Sequence, residues 1–468
     1  MTLVPANALL PASGPEREIA LGLYEAVRAL PIISPHGHCD PSWFSENERF
    51  PDPARLMVVP DHYVLRMLVS QGASLEELGV APLDGGAFER DGRTIWRRFA
   101  EGFHLFRGTP SGFWIEHSLQ NLFGIETPLG PRTADAHYDR IDEALATPEF
   151  RPRALYERFG IEVLATTDGA VDDLGHHRAI ADSAWAGRIV PTYRPDAVVD
   201  PEGPDFAANL ARLGEATGED CTTWHGYLAA HRARRAFFIE HGATATDHGH
   251  PTARTLDLGA EDAAALFVRV RGGEATPGDA EAFRAQMLTE FARMSLEDGL
   301  VMQLHAGAMR GHSPAVRARF GTDKGFDVPA RGEFVEALRP LLDAVGMDPR
   351  LTLILFTLDE TTYSRELAPL AGAYPSLRLG PPWWFHDSPE GMRRFRERTT
   401  ETAGFYNTVG FNDDTRAFCS IPARHDMARR CDSAFLATLA ATGRLREDDA
   451  YEVAHDLAHG LAKQAYRL

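Results

Sequence analysis

The chain has 468 residues, 44% hydrophobic and 25% charged, which is the composition of a soluble globular protein with room for one large domain or several ordinary ones. A net charge of −19 argues against nucleic acid as a partner, and it would repel an anionic metabolite unless local arginines intervene. No run approaches the roughly 20 apolar residues that span a bilayer, the start lacks a secretion signal, and Cys39, Cys221, Cys419 and Cys431 form no C-x-x-C pair, so a cytoplasmic enzyme without membrane contact is expected.

The first apolar run, LPIISPH (30–36), leads into His36 and His38, separated by one glycine. Side chains alternate faces along a strand, so positions i and i+2 aim at one place, as two ligands of one metal do. The plain alternative is a surface loop that holds two of the chain's 19 histidines. Residues 41–160 are far more chain than one crossover needs. Within them DHYVLRMLVSQGASLEELG and TIWRRFAEGFHLFRG read as amphipathic helices, with DHY (61–63) placed to face a site.

Further runs follow: EVLATTD (162–168), RIVPTYRPD (188–196), FFIEHGATATDHG (237–249), LVMQLHAG (300–307), LTLILFTLDE (351–360), SLRLGPPWWF (376–385) and NTVGFNDDTR (407–416). A helical excursion covers 201–236, and DDAYEVAHDLAHGLAKQAYRL reads as a terminal helix. Eight apolar runs alternating with helical segments predict an α/β fold, a (β/α)8 TIM-type barrel with a large helical insertion after strand 1. The expected division is 1–40 for the N-terminal helix and strand 1, 41–160 for the insertion capping the mouth, and 161–468 for the remainder.

Polar residues cluster just after each run: His36 and His38, Asp168, Arg194 and Asp196, Asp247 and His248, His305, Asp359, Trp383 and Trp384, Asp414 and Arg416. Any one of these could be an ordinary loop residue, but eight such endings predict a shared site on the C-terminal rim of a barrel. Closure would make strands one and eight neighbours, bringing His36, His38 and Asp414 together as a zinc or manganese shell with open positions. His305 is either a fourth ligand or a residue contacting substrate or ligands.

The H-x-H of the first run with the Asp of the eighth resembles the amidohydrolase superfamily. HGHCDP (36–41), DHY (61–63), TTD (166–168), PTYRPD (191–196), ATDHG (245–249), QLHAGAMR (303–310), PPWWF (381–385) and DDTR (413–416) narrow the resemblance to the uronate (glucuronate) isomerase family. That family usually shows His-Cys-His where this chain has His36-Gly37-His38, and the middle residue points away on a strand. The resemblance implies interconversion of D-glucuronate with D-fructuronate, and of D-galacturonate with D-tagaturonate, in hexuronate catabolism. It also implies one divalent metal, zinc or else manganese, a small-molecule hexuronate partner, and room for a homo-oligomer.

Such a reaction moves hydrogen between C1 and C2, so it needs a base near C2, an acid at the carbonyl and a grip on the distant carboxylate. Arg194 and Arg416 suit bidentate carboxylate binding, unless they only pair with Asp196 and Asp413. Asp414 is the first candidate base, directly or through metal-bound water. Tyr63 and His62 are carried over from the family's insertion motif to handle the proton at the oxygens or orient the hydroxyls. Trp383 and Trp384 offer apolar faces to the sugar.

The rival reading is a metal-dependent hydrolase of the same superfamily. Many of those bridge two metals with a carboxylated lysine at the end of strand four. This chain has two lysines, Lys324 and Lys463, and neither can bridge or form a Schiff base there. A mononuclear hydrolase is the remaining alternative. A sugar-binding protein without catalysis would explain the arginines but not the His-x-His with Asp.

Overall fold

The structure, a computed structural model, describes residues 2–203 and 205–468. Its strands are β1 (Ile32–Ser34), β2 (Ile161–Ala165), β3 (Asp168–Gly169), β4 (Ile189–Val190), β5 (Tyr193–Arg194), β6 (Ala245–His248), β7 (Val301–Ala306), β8 (Ala308–Met309), β9 (Val328–Pro329), β10 (Leu353–Thr357) and β11 (Leu377–Leu379). They form parallel sheets in the orders β1-β2-β4 and β11-β10-β7-β6-β5-β3, with β8 and β9 as a small antiparallel pair. β2 and β3 belong to one apolar run, as do β4 and β5, so seven runs lie side by side in chain order. The eighth contributes a single parallel bridge, Thr408 to Leu379. Beyond it, the N–H of His38 donates to the carbonyl of Thr415 at 3.0 Å. The architecture is α/β with parallel sheets.

Strands covered on both faces read as largely apolar runs, as β10 does here. On β10, Leu353 and Leu355 pack into the core shared with the helices, while Ile354 and Phe356 point the other way, against Trp383 and Val409. On β7, Met302, Leu304 and Ala306 join the helix layer. The alternate residues Val301, Gln303 and His305 face inward, and Gln303 accepts from the hydroxyl of Tyr466 at 3.1 Å.

The fourth run begins later than its sequence predicts. Phe237–Glu240 form the last turn of the helix Trp224–Glu240, and the strand starts at Ala245. Four apolar or long residues beside a glycine turn read alike in helix and strand, and Phe238 packs into the core from the helix.

Residues 41–160 supply a series of short helices whose starts the sequence marks with Asp or Thr caps and early prolines. The helix His62–Val69 is shorter than its apolar pattern implies, ending before the Ser-Gln-Gly turn. Trp96, Phe99, Phe106 and Leu119 join Ile32 and Ile161 in one core, which ties these helices to the first sheet. The helix Pro15–Val27 docks on Ile421–Ala441, where Tyr24 donates to Asp426 at 2.5 Å and Arg430 donates to Tyr24 at 2.8 Å. No described helix is long and apolar enough to cross a membrane, and the four cysteines are buried and free.

Candidate active site

A cavity of about 1170 Å³ opens among the segments that follow the strands, and Pro60–Tyr63 of the helical segment also line it. His38 and Asp414 line it, and Nε2 of His36 and Nε2 of His38 lie 3.5 Å and 3.1 Å from Oδ1 of Asp414. Tetrahedral zinc, with bonds of about 2.0–2.1 Å, holds neighbouring ligand atoms roughly 3.3 Å apart. Two imidazole nitrogens and one carboxylate oxygen at these separations fit one such cation and leave a position open. Both histidines follow the last paired residue of β1. Asp414 has φ 39°, a left-handed conformation costly for most side chains but tolerated by Asp. Burial opposes its charge, yet His36 and His38 hold its carboxyl well below the usual range.

His305 stands behind this group. Its ring stacks on His36 at 4.5 Å, and its Nδ1 lies 2.6 Å from Asp247 Oδ1. His36, Asp247 and His305 form a second trio of metal-ligating side chains. Asp247 is already matched, however, because Nη1 of Arg194 lies 3.1 Å from its Oδ2. No uncompensated anion remains there for a second cation. Nε2 of His305 is buried without a hydrogen-bond partner among the described residues.

DHY is a helix start. The Asp61 side chain accepts from the backbone N–H of Tyr63 at 2.8 Å and of Val64 at 3.3 Å, a cap worth about 1 kcal/mol. That fixes His62 and Tyr63 on the first turn, at the cavity wall. Burial, reinforced by Arg416, lowers the His62 pKa to about 3, so the imidazole is neutral. Burial and Asp387 push the Tyr63 hydroxyl well above its ordinary value. Trp383 meets His305 edge-on at 4.7 Å, and Trp384 meets His62 edge-on at 5.0 Å. Both tryptophans are buried, and both also line the cavity.

Arg194 is held from two sides, with Nε donating to Asp196 at 2.8 Å and Nη1 facing Asp247. Close packing here demands Gly249, since a Cβ at that position would lie 2.2 Å from Nη2 of Arg194. Arg416 does not pair with Asp413. Its Nη2 lies 3.1 Å from Oδ2 of Asp323, and Nη1 of Arg310 lies 3.2 Å from the other oxygen of that carboxylate. Asp413 instead turns into the protein, toward Nε2 of His425 at 3.1 Å on the helix Ile421–Ala441. Asp323 therefore bridges two guanidinium groups. Asp168 and Asp359 line no part of this cavity. Asp168 accepts from Thr166 at 2.7 Å, and Asp359 from the Thr361 N–H at 2.9 Å.

Sequence reasoning gave Asp247 no role and did not single out Asp323, Asp387, Arg310 or Arg424. Arg310 ends the QLHAGAMR motif and Asp387 lies two residues after PPWWF, so both were within reach. Nothing in the sequence marks Asp323 or Arg424.

A family model described as glucuronate isomerase matches residues 15–466. A uronate isomerase of Rhizobium meliloti (strain 1021) is 63% identical over 466 residues, covering 100% of this chain and 99% of the relative. The crystal structure of glucuronate isomerase from Caulobacter crescentus is 56% identical, covers 100% of this chain and 98% of that one, and superposes with a TM-score of 0.98. That of a uronate isomerase from Thermotoga maritima is 29% identical, covers 99% of each chain, and has a TM-score of 0.91.

Proposed function

Because this chain belongs to the glucuronate isomerase family and is an enzyme that isomerises uronates, we propose that it interconverts D-glucuronate with D-fructuronate, and D-galacturonate with D-tagaturonate, at the cavity beside Asp414. The observation that carries this reading is the meeting of His38, Asp414, Arg416 and Tyr63 around one cavity. His36, His38 and Asp414 are the residues that would hold one divalent metal, zinc before manganese. When bound, the cation supplies Lewis-acid polarisation of a sugar oxygen. Asp414, ionised and lining the cavity, takes the proton from C2 and returns it at C1. Tyr63 exchanges a proton with a sugar oxygen, and neutral His62 orients a hydroxyl. Arg416, with Arg310 and Arg194, holds the distant carboxylate. Trp383 and Trp384 cover the apolar face of the sugar, and His305, stacked behind His36, positions it.

The side-by-side order of the runs and the His38–Thr415 hydrogen bond support a closed (β/α)8 barrel. Residues 41–160 would then cap its mouth, since they bring His62 and Tyr63 to the cavity. Residues 1–40 supply the first helix and strand, and 161–468 the remainder. The four free cysteines support a cytoplasmic setting.

Incubation with D-glucuronate in deuterated water, followed by NMR, tests the reaction. The expected result is ketose, with deuterium entering at C2 of aldose recovered from the equilibrium. Ketose without such label would keep the isomerase and show that the hydrogen carried between C2 and C1 does not exchange with solvent. Release of a hydrolysis product from an amide or lactone, with no ketose, would favour the mononuclear hydrolase.

Metal content gives a second expectation. The purified chain should bind close to one divalent ion, and a strong chelator or His36→Ala should lower occupancy and activity together. Two tightly held ions per chain would contradict the single-cation reading, which rests on Asp247 being matched by Arg194.

A further inference from the structure

Behind Tyr63 lies a buried chain of groups that the proton chemistry above does not use. The Tyr63 hydroxyl donates to Oδ1 of Asp387 at 2.7 Å, and the N–H of Phe385 donates to the Tyr63 oxygen at 2.9 Å. Phe385 sits at φ 67°, a left-handed conformation unusual for a bulky residue, and it is this residue's N–H that meets the hydroxyl. The second oxygen of Asp387 accepts from Nη1 of Arg424 at 3.0 Å. Arg424 is itself immobilised: its guanidinium lies 3.6 Å from the Trp114 ring centre, and its Nε donates to Ser420 at 3.1 Å. Tyr63, Trp114, Asp387 and Arg424 are all buried, although they come from four separate segments of the chain.

A hydroxyl carries one proton and two lone pairs. The proton of Tyr63 is committed to Asp387 and one lone pair to Phe385, so a single acceptor position remains. Tyr63 and Asp387 both line the cavity.

Resting on the reading of Tyr63 as a proton-handling group, we propose that Asp387, pinned by Arg424, is a positioning residue of the isomerisation that makes Tyr63 a proton acceptor toward the substrate hydroxyl. As the substrate O–H bond breaks, a new Tyr63 O–H bond forms. The former Tyr63 proton passes to Asp387, whose negative charge is thereby transferred to the substrate oxygen. That oxygen becomes the C2 carbonyl as Asp414 protonates C1, and the Tyr63–Asp387 pair returns its proton to the oxygen on C1. The reverse reaction uses the same transfers backward.

The test is a kinetic cycle on glucuronate with Tyr63→Phe, Asp387→Asn and the double variant. Asp387→Asn should lower kcat about 10²-fold or more with KM little changed. The double variant should be no slower than Tyr63→Phe alone, because both substitutions disable one relay. Asp387→Glu, which keeps the carboxylate, should retain more kcat than Asp387→Asn, and it carries the same cycle if the Asn variant does not fold. Full kcat in Asp387→Asn, or losses that multiply in the double variant, would overturn the proposal while leaving Tyr63 in place. A harmless Tyr63→Phe would instead remove the proton role of Tyr63, and this inference with it.

Discussion

Asp414→Asn should retain the fold and lose nearly all turnover. The substitution preserves shape, so the unusual backbone at φ 39° is still served by a residue that tolerates it. It removes the one negative charge between His36 and His38. Two losses then combine. A general base contributes about 10²–10⁴-fold to rate, and a neutral amide is a poorer ligand than a carboxylate for a hard divalent cation. The measurement is kcat beside metal content and far-UV circular dichroism. A folded Asn variant with kcat within a few-fold of wild type would remove Asp414 from both roles.

Loss of the arginines should act on binding, and the two are expected to differ. Arg416→Met leaves Asp323 still paired with Arg310, so stability should hold while KM for glucuronate rises steeply. Losing one partner of a buried charge pair typically costs about 2–5 kcal/mol, which is roughly 30-fold to several thousand-fold. Arg194→Met strips a guanidinium from both Asp196 and Asp247, whose carboxylates are held ionised largely by it. Melting temperature should therefore fall together with activity. Substrate comparison supplies the check: if glucose and glucuronate turn over comparably in the wild type, carboxylate recognition by these arginines is wrong.

Much of this arrangement is readable in advance because buried parallel strands announce themselves as short apolar runs that end in a polar residue. LTLILFTLDE yields β10, and QLHA places His305 at the cavity end of β7, with no structural knowledge needed. The same rule fails at Phe237–Glu240, where apolar residues at a helix end imitate the beginning of a strand. It is also silent about partners chosen by tertiary packing. Pairing with the near neighbour Asp413 is the plain alternative for Arg416 in the sequence, but the helix Ile421–Ala441 offers His425 to that carboxylate and leaves Arg416 to Asp323, more than ninety residues away in sequence. Asp323 sits between β8 and β9, in the irregular segment after the helix Pro314–Phe320. Motif position singles out Tyr63, whereas its hydrogen bond to Asp387 is visible only in the structure.

The contact between residues 36–38 and 413–415 also has a meaning for biosynthesis. His36 and His38 leave the ribosome long before Asp414 does. Two imidazoles on an incomplete chain are a weak and unselective trap for cations, whereas the three-donor set exists only once the last strand segment has closed against the first. A cation that needs all three donors would thus be held only after residues 413–415 have been made and have closed against the first strand.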